Sequence, residues 1–254
     1  MSESTPVTAN PWTQLRSHTP ARIALGRAGP ALPTREVLAF GAAHARARDA
    51  VHLALDAEAL ETQLREAGYA PIRVHSAAPD RATYLARPDL GRRLDEESGR
   101  ALAAANPPPE IVVAIEDGLS AVAVQKHAMP LLAALRSITP ERWDRAPVVI
   151  ALQGRVALGD AIGEKLGARL VVVMIGERPG LSSPDSLGLY VTHAPRVGRT
   201  DAERNCISNV RPEGLPYLAA AARLDWLAAQ AIRRGLTGVA LKDESDSPDQ
   251  AGLP

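Results

Sequence analysis

Apolar runs that are hydrophobic on both faces recur in the second half of the chain. A strand of this kind is typical of a parallel sheet that is covered by helices on each side. The runs are EIVVAIEDG (110–118), APVVIALQGR (146–155) and RLVVVMIGERPG (169–180). Between them, residues 120–138 and 156–168 place apolar side chains at helical spacing, although Pro130 predicts a kink or an interruption of the first segment. The second half is therefore predicted to be an α/β unit.

Three further elements are predicted after these runs. SLGLYVTH (186–193) has the composition of another strand. A capping box from Thr200 to Glu203 predicts a helix that continues through Cys206. Residues 215–235 form a long amphipathic pattern that ends at a glycine, as the final helix of the domain would.

The first half of the chain is predicted to be mainly helical. Residues 34–67 carry apolar positions at helical spacing and give two consecutive helices, the second of which begins at Asp56. PIRVHS (71–76) predicts a short strand, and residues 87–106 predict a polar helix.

The triple proline 107–109 gives the best internal boundary, because consecutive prolines form a stiff and extended segment. We expect a disordered leader and a flexible tail at the two ends, where small polar residues and prolines show no periodicity. The predicted parts are a leader (1–20), an N-terminal mainly helical region (21–106), the α/β domain (107–243) and a tail (244–254).

Composition and charge exclude several classes of protein. Lys+Arg and Asp+Glu both number 29, so no overall field attracts nucleic acid or an anionic membrane. No apolar run reaches the roughly 18 to 20 residues of a bilayer span, and the first residues lack a signal-peptide pattern. The single cysteine, Cys206, cannot form an internal disulfide. We expect a cytoplasmic protein that binds neither nucleic acid nor membrane.

Common catalytic motifs are missing from the sequence. It contains no G-x-G-x-x-G, no Walker sequence and no G-x-S-x-G, and its six histidines have no metal-ligand spacing. We therefore assign no catalytic residue and no metal ligand, and an ordinary NAD, ATP or serine-hydrolase enzyme is disfavoured.

Three loops follow the predicted parallel strands, where ligands bind in open α/β sheets. They are residues 116–120, 153–156 and 176–180. Their glycines either admit a ligand close to the backbone or only turn the chain. Glu177 is either a hydrogen-bond acceptor for a ligand, or simply solvated or paired with Arg178. Cys206 on its own is most simply a buried, inert thiol.

A series of sequence blocks identifies a family that this chain closely resembles. They include DGLSAVAVQKHAMPLL, GRVALGDAIGEKLGA, IGERPGLSSPDSLGLY, TDAERNCISN and LTGVALKD, and the resemblance covers about residues 20 to 243. The blocks resemble the small (light) subunits of ethanolamine ammonia-lyase. This resemblance implies a Rossmann-like domain that helps to hold adenosylcobalamin against a large TIM-barrel subunit, which binds ethanolamine and converts it to acetaldehyde and ammonia by radical chemistry.

The resemblance also implies which residues contact the cobalamin. They are Val156, Glu177 and Cys206, and all three residue types are present at the matching positions. The sequence D-x-H-x-x-G, by which other cobalamin proteins supply a histidine to cobalt, is absent, so we expect a base-on cofactor. We further expect a hetero-oligomer associated with a bacterial microcompartment, in which this chain alone is inactive.

Two alternatives remain open. The chain could be a scaffold or targeting subunit of the same complex, with no essential contact to the cofactor. A weaker alternative is a small-molecule enzyme of nucleotide type.

Overall fold

The structure is a computed structural model, and it describes residues 7–102 and 107–245. Its helices are α1 (Thr34–His52), α2 (Ala57–Glu66), α3 (Arg81–Ala86), α4 (Glu96–Ala101), α5 (Ala121–Ile138), α6 (Pro140–Trp143), α7 (Leu158–Leu166) and α8 (Tyr217–Arg234). Its strands are β1 (Ile72–His75), β2 (Ile111–Glu116), β3 (Val148–Leu152), β4 (Leu170–Gly176), β5 (Leu187–His193) and β6 (Asn205–Val210). Short 3-10 helices span Pro11–Ser17, Leu90–Arg92, Asp201–Glu203 and Gly238–Ala240.

Within these described ranges, six strands form one sheet in the order β1-β3-β2-β4-β5-β6. The first four in this order are parallel, whereas β5 and β6 are antiparallel to their neighbours. The predicted α/β class with a mostly parallel sheet is confirmed. Because β1 precedes the triple proline, the sheet includes residues from both sides of that point.

Helices cover both faces of the sheet, which explains the continuous apolar runs. Along β2, Val113 and Ile115 belong to the core that the sheet shares with α2, α5 and α8. Val112 and Ala114, which point the opposite way, pack in a second core with Leu158 and other residues of α7. Since successive side chains of a strand alternate between the two faces, a strand between two helical layers needs apolar residues at every position.

Helix α5 continues through Pro130, so of the two effects predicted for this proline the interruption is wrong. Proline removes one backbone donor from a helix. Here the residues that follow it, Leu131 and Leu132, are buried against the sheet, and their packing holds the helix together on both sides of the proline.

Residues 87–106 are not one polar helix, so that prediction is also wrong. The carbonyl of Arg93 accepts a hydrogen bond from Ala77 N–H at 2.7 Å, and this bond beside the end of β1 holds the chain extended there. Asp95 then caps α4 by accepting from Ser98 N–H at 2.7 Å. The last four residues of the predicted helix lie outside the described residues.

Cys206 lies on strand β6 and not on a helix. The capping box of Thr200 and Glu203 is present, but it closes only one 3-10 turn. The chain then pairs with the open edge of β5 as strand β6. In this pairing Cys206 lies opposite Tyr190, and Ile207 is buried. A local capping signal is therefore overridden by long-range strand pairing.

The predicted leader contains regular structure, contrary to expectation. Pro11–Ser17 form a 3-10 helix, which Asn10 caps by accepting from Trp12 N–H at 2.9 Å. Thr8 and Arg27 exchange two backbone hydrogen bonds that tie this segment down. Residues 1–6 and 246–254, in the predicted leader and tail, lie outside the described residues.

Candidate functional site

A cavity of about 420 Å³ opens at the carboxyl ends of β2, β3 and β4. This is the position at which open α/β sheets bind their ligands. Two of the three predicted contact residues, Val156 and Glu177, line it, together with Leu119, Ile175, Tyr84 and Tyr190. Loops from distant parts of the sequence therefore meet where the strand order predicts.

Glu177 follows β4 directly and is held by the backbone around it. Its N–H donates to the carbonyl of Ser186 at 3.0 Å, and its carboxylate accepts from Asn209 N–H at 3.1 Å. Among the described residues it forms no ion pair with Arg178, so the interpretation of Glu177 as a partner of Arg178 is wrong. A half-buried carboxylate facing a cavity can accept further hydrogen bonds from a ligand.

Val156 lies in the loop between β3 and α7, and Asp117 fixes this loop from below. Its carboxylate accepts from the N–H groups of Gln153 and Gly154 at 2.9 and 3.0 Å. Gln153 adopts a φ of 54°, a left-handed conformation that non-glycine residues rarely take, so these two bonds hold a strained turn. The two hydrogen bonds thereby set the position of Val156 in the cavity wall.

Glu116 is a fully buried carboxyl group directly beneath the same loop. Neither of its oxygens has a hydrogen-bond partner among the described residues. Burial raises its pKa well above the ordinary value, and the negative charges of Asp117 and Asp160 add to the effect. A Cβ on Gly154 would lie 2.7 Å from Glu116 Oε2, so the loop can pass over the carboxyl group only with glycine there.

Tyr84 brings the N-terminal region into the site, and the sequence analysis missed it. Its ring is fully buried, its hydroxyl donates to the carbonyl of Gly154 at 3.0 Å, and the Arg155 guanidinium lies 4.3 Å from its centre. On the other side, Arg81 lies 4.7 Å from the ring and donates to Gly118 O at 2.7 Å. The one available signal was an aromatic residue in a chain with only 3% aromatics.

Cys206 lies at the edge of this arrangement. Its side chain is exposed, so the interpretation as a buried thiol is wrong. It pairs across the sheet with Tyr190, whose ring lines the cavity and whose pKa is raised mainly by burial and also by the neighbouring thiol. Val156 and Glu177 thus share one cavity, and Cys206 adjoins it through Tyr190.

In residues 7–102 and 107–245, no three side chains of His, Cys, Asp or Glu are grouped as metal ligands. No helix in the same ranges combines the length and apolar character needed to cross a bilayer.

The fold and the cavity define a class of protein, namely α/β proteins with a ligand-sized cavity at the carboxyl ends of a Rossmann-like sheet. A more specific assignment comes from known families. The family model described as "Ethanolamine ammonia-lyase light chain (EutC)" matches residues 9–242. The chain therefore belongs to the ethanolamine ammonia-lyase light chain family, and the resemblance noted in its sequence is confirmed.

Curated relatives are similar over nearly their whole length. The "Ethanolamine ammonia-lyase small subunit" of Ralstonia nicotianae is 59% identical over 247 residues, which are 95% of this chain and 92% of the relative. The proteins of the same description from Azotobacter vinelandii and Xanthomonas campestris are 58% and 55% identical, cover 97% and 96% of this chain, and are each covered to 93%. Membership of this family makes the chain a lyase subunit.

Proposed function

We propose that this chain is the cofactor-binding small subunit of an adenosylcobalamin-dependent ethanolamine ammonia-lyase. In this proposal it holds the cofactor at the interface with a large subunit, through Val156, Glu177 and Cys206. The observation that carries the proposal is that Val156 and Glu177, which are 21 positions apart, line one open cavity at the carboxyl edge of the sheet.

The walls of the cavity fit the rim of a corrinoid, which is apolar in its ring and carries amide side arms. Leu119, Ile175 and Val156 supply apolar surface, and the Glu177 carboxylate can accept from amide N–H groups. Within the described residues, Val156 N–H donates to no protein acceptor, so it is available to an amide carbonyl. The N–H groups and the carbonyl oxygens of the corrinoid's amide side arms therefore each have a hydrogen-bond partner in this one cavity.

When bound, adenosylcobalamin would supply the radical that initiates the conversion of ethanolamine to acetaldehyde and ammonia. The contribution of this chain is to bind and orient the cofactor. The proposed cofactor is base-on and keeps its own benzimidazole as the lower ligand, because the sequence lacks the D-x-H-x-x-G motif by which other cobalamin proteins supply a histidine.

The size and shape of the cavity support a complex in which a second subunit also contacts the cofactor. A cavity of about 420 Å³ that is open to solvent is too small to enclose a corrinoid, so much of the cofactor would be left free to contact another surface. That surface belongs, in this proposal, to the large subunit, which also supplies most of the contacts that bind ethanolamine. Assembly into a hetero-oligomer, with a cytoplasmic location in a bacterial microcompartment, is part of the same proposal.

Substitution of Glu177 tests the proposed contact. In the complex with the large subunit, Glu177→Gln replaces a charged acceptor by a neutral amide, so we expect adenosylcobalamin to bind about tenfold more weakly. The dissociation constant is measured by spectroscopic titration of the complex. Glu110→Gln, an exposed change just before β2, is the matched control and should leave affinity unchanged. Unchanged affinity in Glu177→Gln, in a complex that still assembles, would favour the scaffold alternative.

A further inference from the structure

A second cavity adjoins the first and differs from it in charge. It has the same volume, about 420 Å³, and the two share Arg155 and Val156 in their walls. The shared residues belong to the loop between β3 and α7, so a ligand in one cavity lies beside the other. Its lining includes four arginines: Arg92, Arg155, Arg199 and Arg204.

Two of these arginines are held by carboxylates. Arg204 is buried and pairs with the buried Asp160 at 2.6 Å. Arg199 pairs with Glu203. These pairs build the wall of the cavity and leave little net charge for a ligand.

The other two arginines are available. Neither Arg92 nor Arg155 has a carboxylate within 4.0 Å among the described residues, and Arg155 Nε is buried without a hydrogen-bond partner there. Arg155 is held in place by Tyr84, whose carbonyl accepts from its guanidinium at 3.1 Å. Asp201 also lines the cavity, but its side chain is 97% exposed, so solvent screens its charge.

Backbone donors lie in the same wall. Val156 and Ala157 line the cavity at the start of α7, and neither N–H donates to a protein acceptor within the described ranges. The N-terminus of a helix carries a partial positive charge that favours anions. The N–H of Val156 is already assigned to a corrinoid amide, which leaves the N–H of Ala157. Together with two guanidinium groups that no carboxylate neutralises, it forms a donor set that suits a phosphate group.

We infer that this second cavity binds the phosphodiester of the cofactor's nucleotide loop. The inference rests on the proposed function, because it needs a corrinoid in the first cavity. The phosphodiester is covalently attached to the corrin ring and carries one negative charge, and the arginine-lined cavity is the adjacent site that can neutralise it. Arg92 and Arg155 then determine that the subunit prefers a complete cobalamin to a corrinoid without its nucleotide loop.

Truncated corrinoids test this assignment in the complex of this chain with the large subunit. The ligands are adenosylcobalamin, adenosylcobinamide phosphate, which keeps a phosphate but lacks the base, and adenosylcobinamide, which lacks both. Dissociation constants are measured by spectroscopic titration for wild type, Arg92→Ala and Arg155→Met. The methionine keeps an apolar stem over Tyr84. Arg93→Ala is the matched control, since Arg93 is the exposed neighbour of Arg92 and does not line the cavity.

We expect Arg92→Ala to weaken the two phosphate-bearing ligands about tenfold and to leave adenosylcobinamide unchanged. Arg155 also lines the first cavity, so Arg155→Met should weaken the two phosphate-bearing ligands about tenfold more than it weakens adenosylcobinamide. Arg93→Ala should change none of the three. Equal weakening of all three ligands would show that the arginines only support the loop, and it would overturn the inference. So would tight binding of inorganic phosphate that leaves cobalamin affinity unaltered, because the cavity would then be a site for free phosphate.

Failure of the proposed function gives a different result. In that case the wild-type complex binds neither adenosylcobalamin nor adenosylcobinamide. If both bind with equal affinity to the wild-type complex, the proposed function stands and the phosphodiester site is wrong.

Discussion

Single residues beneath the β3–α7 loop decide its shape. Asp117 accepts two N–H groups of the loop, whereas Glu116 beside it accepts none and is fully buried. An ionised carboxylate is costly in such a place, and burial raises the pKa of Glu116 well above its ordinary value. The two adjacent acids thus have different tasks: Asp117 accepts hydrogen bonds from the loop, and Glu116 fills the space beneath Gly154.

The raised pKa of Glu116 predicts a pH dependence of stability. In the unfolded chain the group ionises near its ordinary value of 4.5, whereas in the folded chain it stays protonated to a higher pH. Unfolding therefore releases a proton between the two values, and the free energy of unfolding falls by up to about 1.4 kcal/mol per pH unit in that interval. Below about pH 4 the effect is absent.

Glu116→Gln removes this titration. The free energy of unfolding of the variant, relative to wild type, should rise between pH 5 and pH 8, as measured by urea denaturation of the full chain. Glu110→Gln, which changes an exposed carboxylate, serves as the control. A difference between Glu116→Gln and wild type that is constant across this pH range would mean that Glu116 is ionised in the folded state.

At the scale of elements, the β3–α7 loop is the part on which both cavities depend. It passes over Glu116 at Gly154, receives the Tyr84 hydroxyl from the N-terminal region, and presents Val156 and Arg155 to the two cavities. A displacement of this one loop would alter both.

Gly154→Ala tests that dependence. The new methyl group would lie 2.7 Å from Glu116 Oε2 and 3.0 Å from Glu116 Cβ, so either the loop or the buried carboxyl has to move. We expect a loss of about 1–3 kcal/mol in the free energy of unfolding, together with weaker cofactor binding by the complex. Gly41→Ala in α1 is the control, because no atom lies within 4 Å of its added methyl group, and it should stabilise by about 0.5–1 kcal/mol. Equal stability of the two variants would contradict the packing described here.

Elements with strong local patterns were predictable from the sequence, and those that depend on distant partners were not. The buried strands β2, β3 and β4 are continuous apolar runs, and Gly167 and Gly235 end their helices with φ near 70°, as expected of glycine caps. The strand of Cys206 escaped prediction because its capping box is a local signal, whereas pairing with β5 involves residues some 15 positions away.

At the scale of the whole molecule, the family resemblance predicted two residues of the first cavity, Val156 and Glu177. The other residues of its wall became apparent only from the fold. Tyr84 and β1 reach the sheet from the region before the triple proline, a long-range placement that no spacing in the sequence encodes. The arginines of the second cavity come from positions 92 to 204, so only the folded chain brings them together.

The central claim is that catalysis by the assembled enzyme needs this chain, the large subunit and adenosylcobalamin together. Its most direct test is to purify this chain with its large subunit and to measure ethanolamine-dependent acetaldehyde formation, with and without adenosylcobalamin. The account predicts activity only when both chains and the cofactor are present, and none for this chain alone. Deamination by the single chain, or by the complex without cofactor, would contradict it.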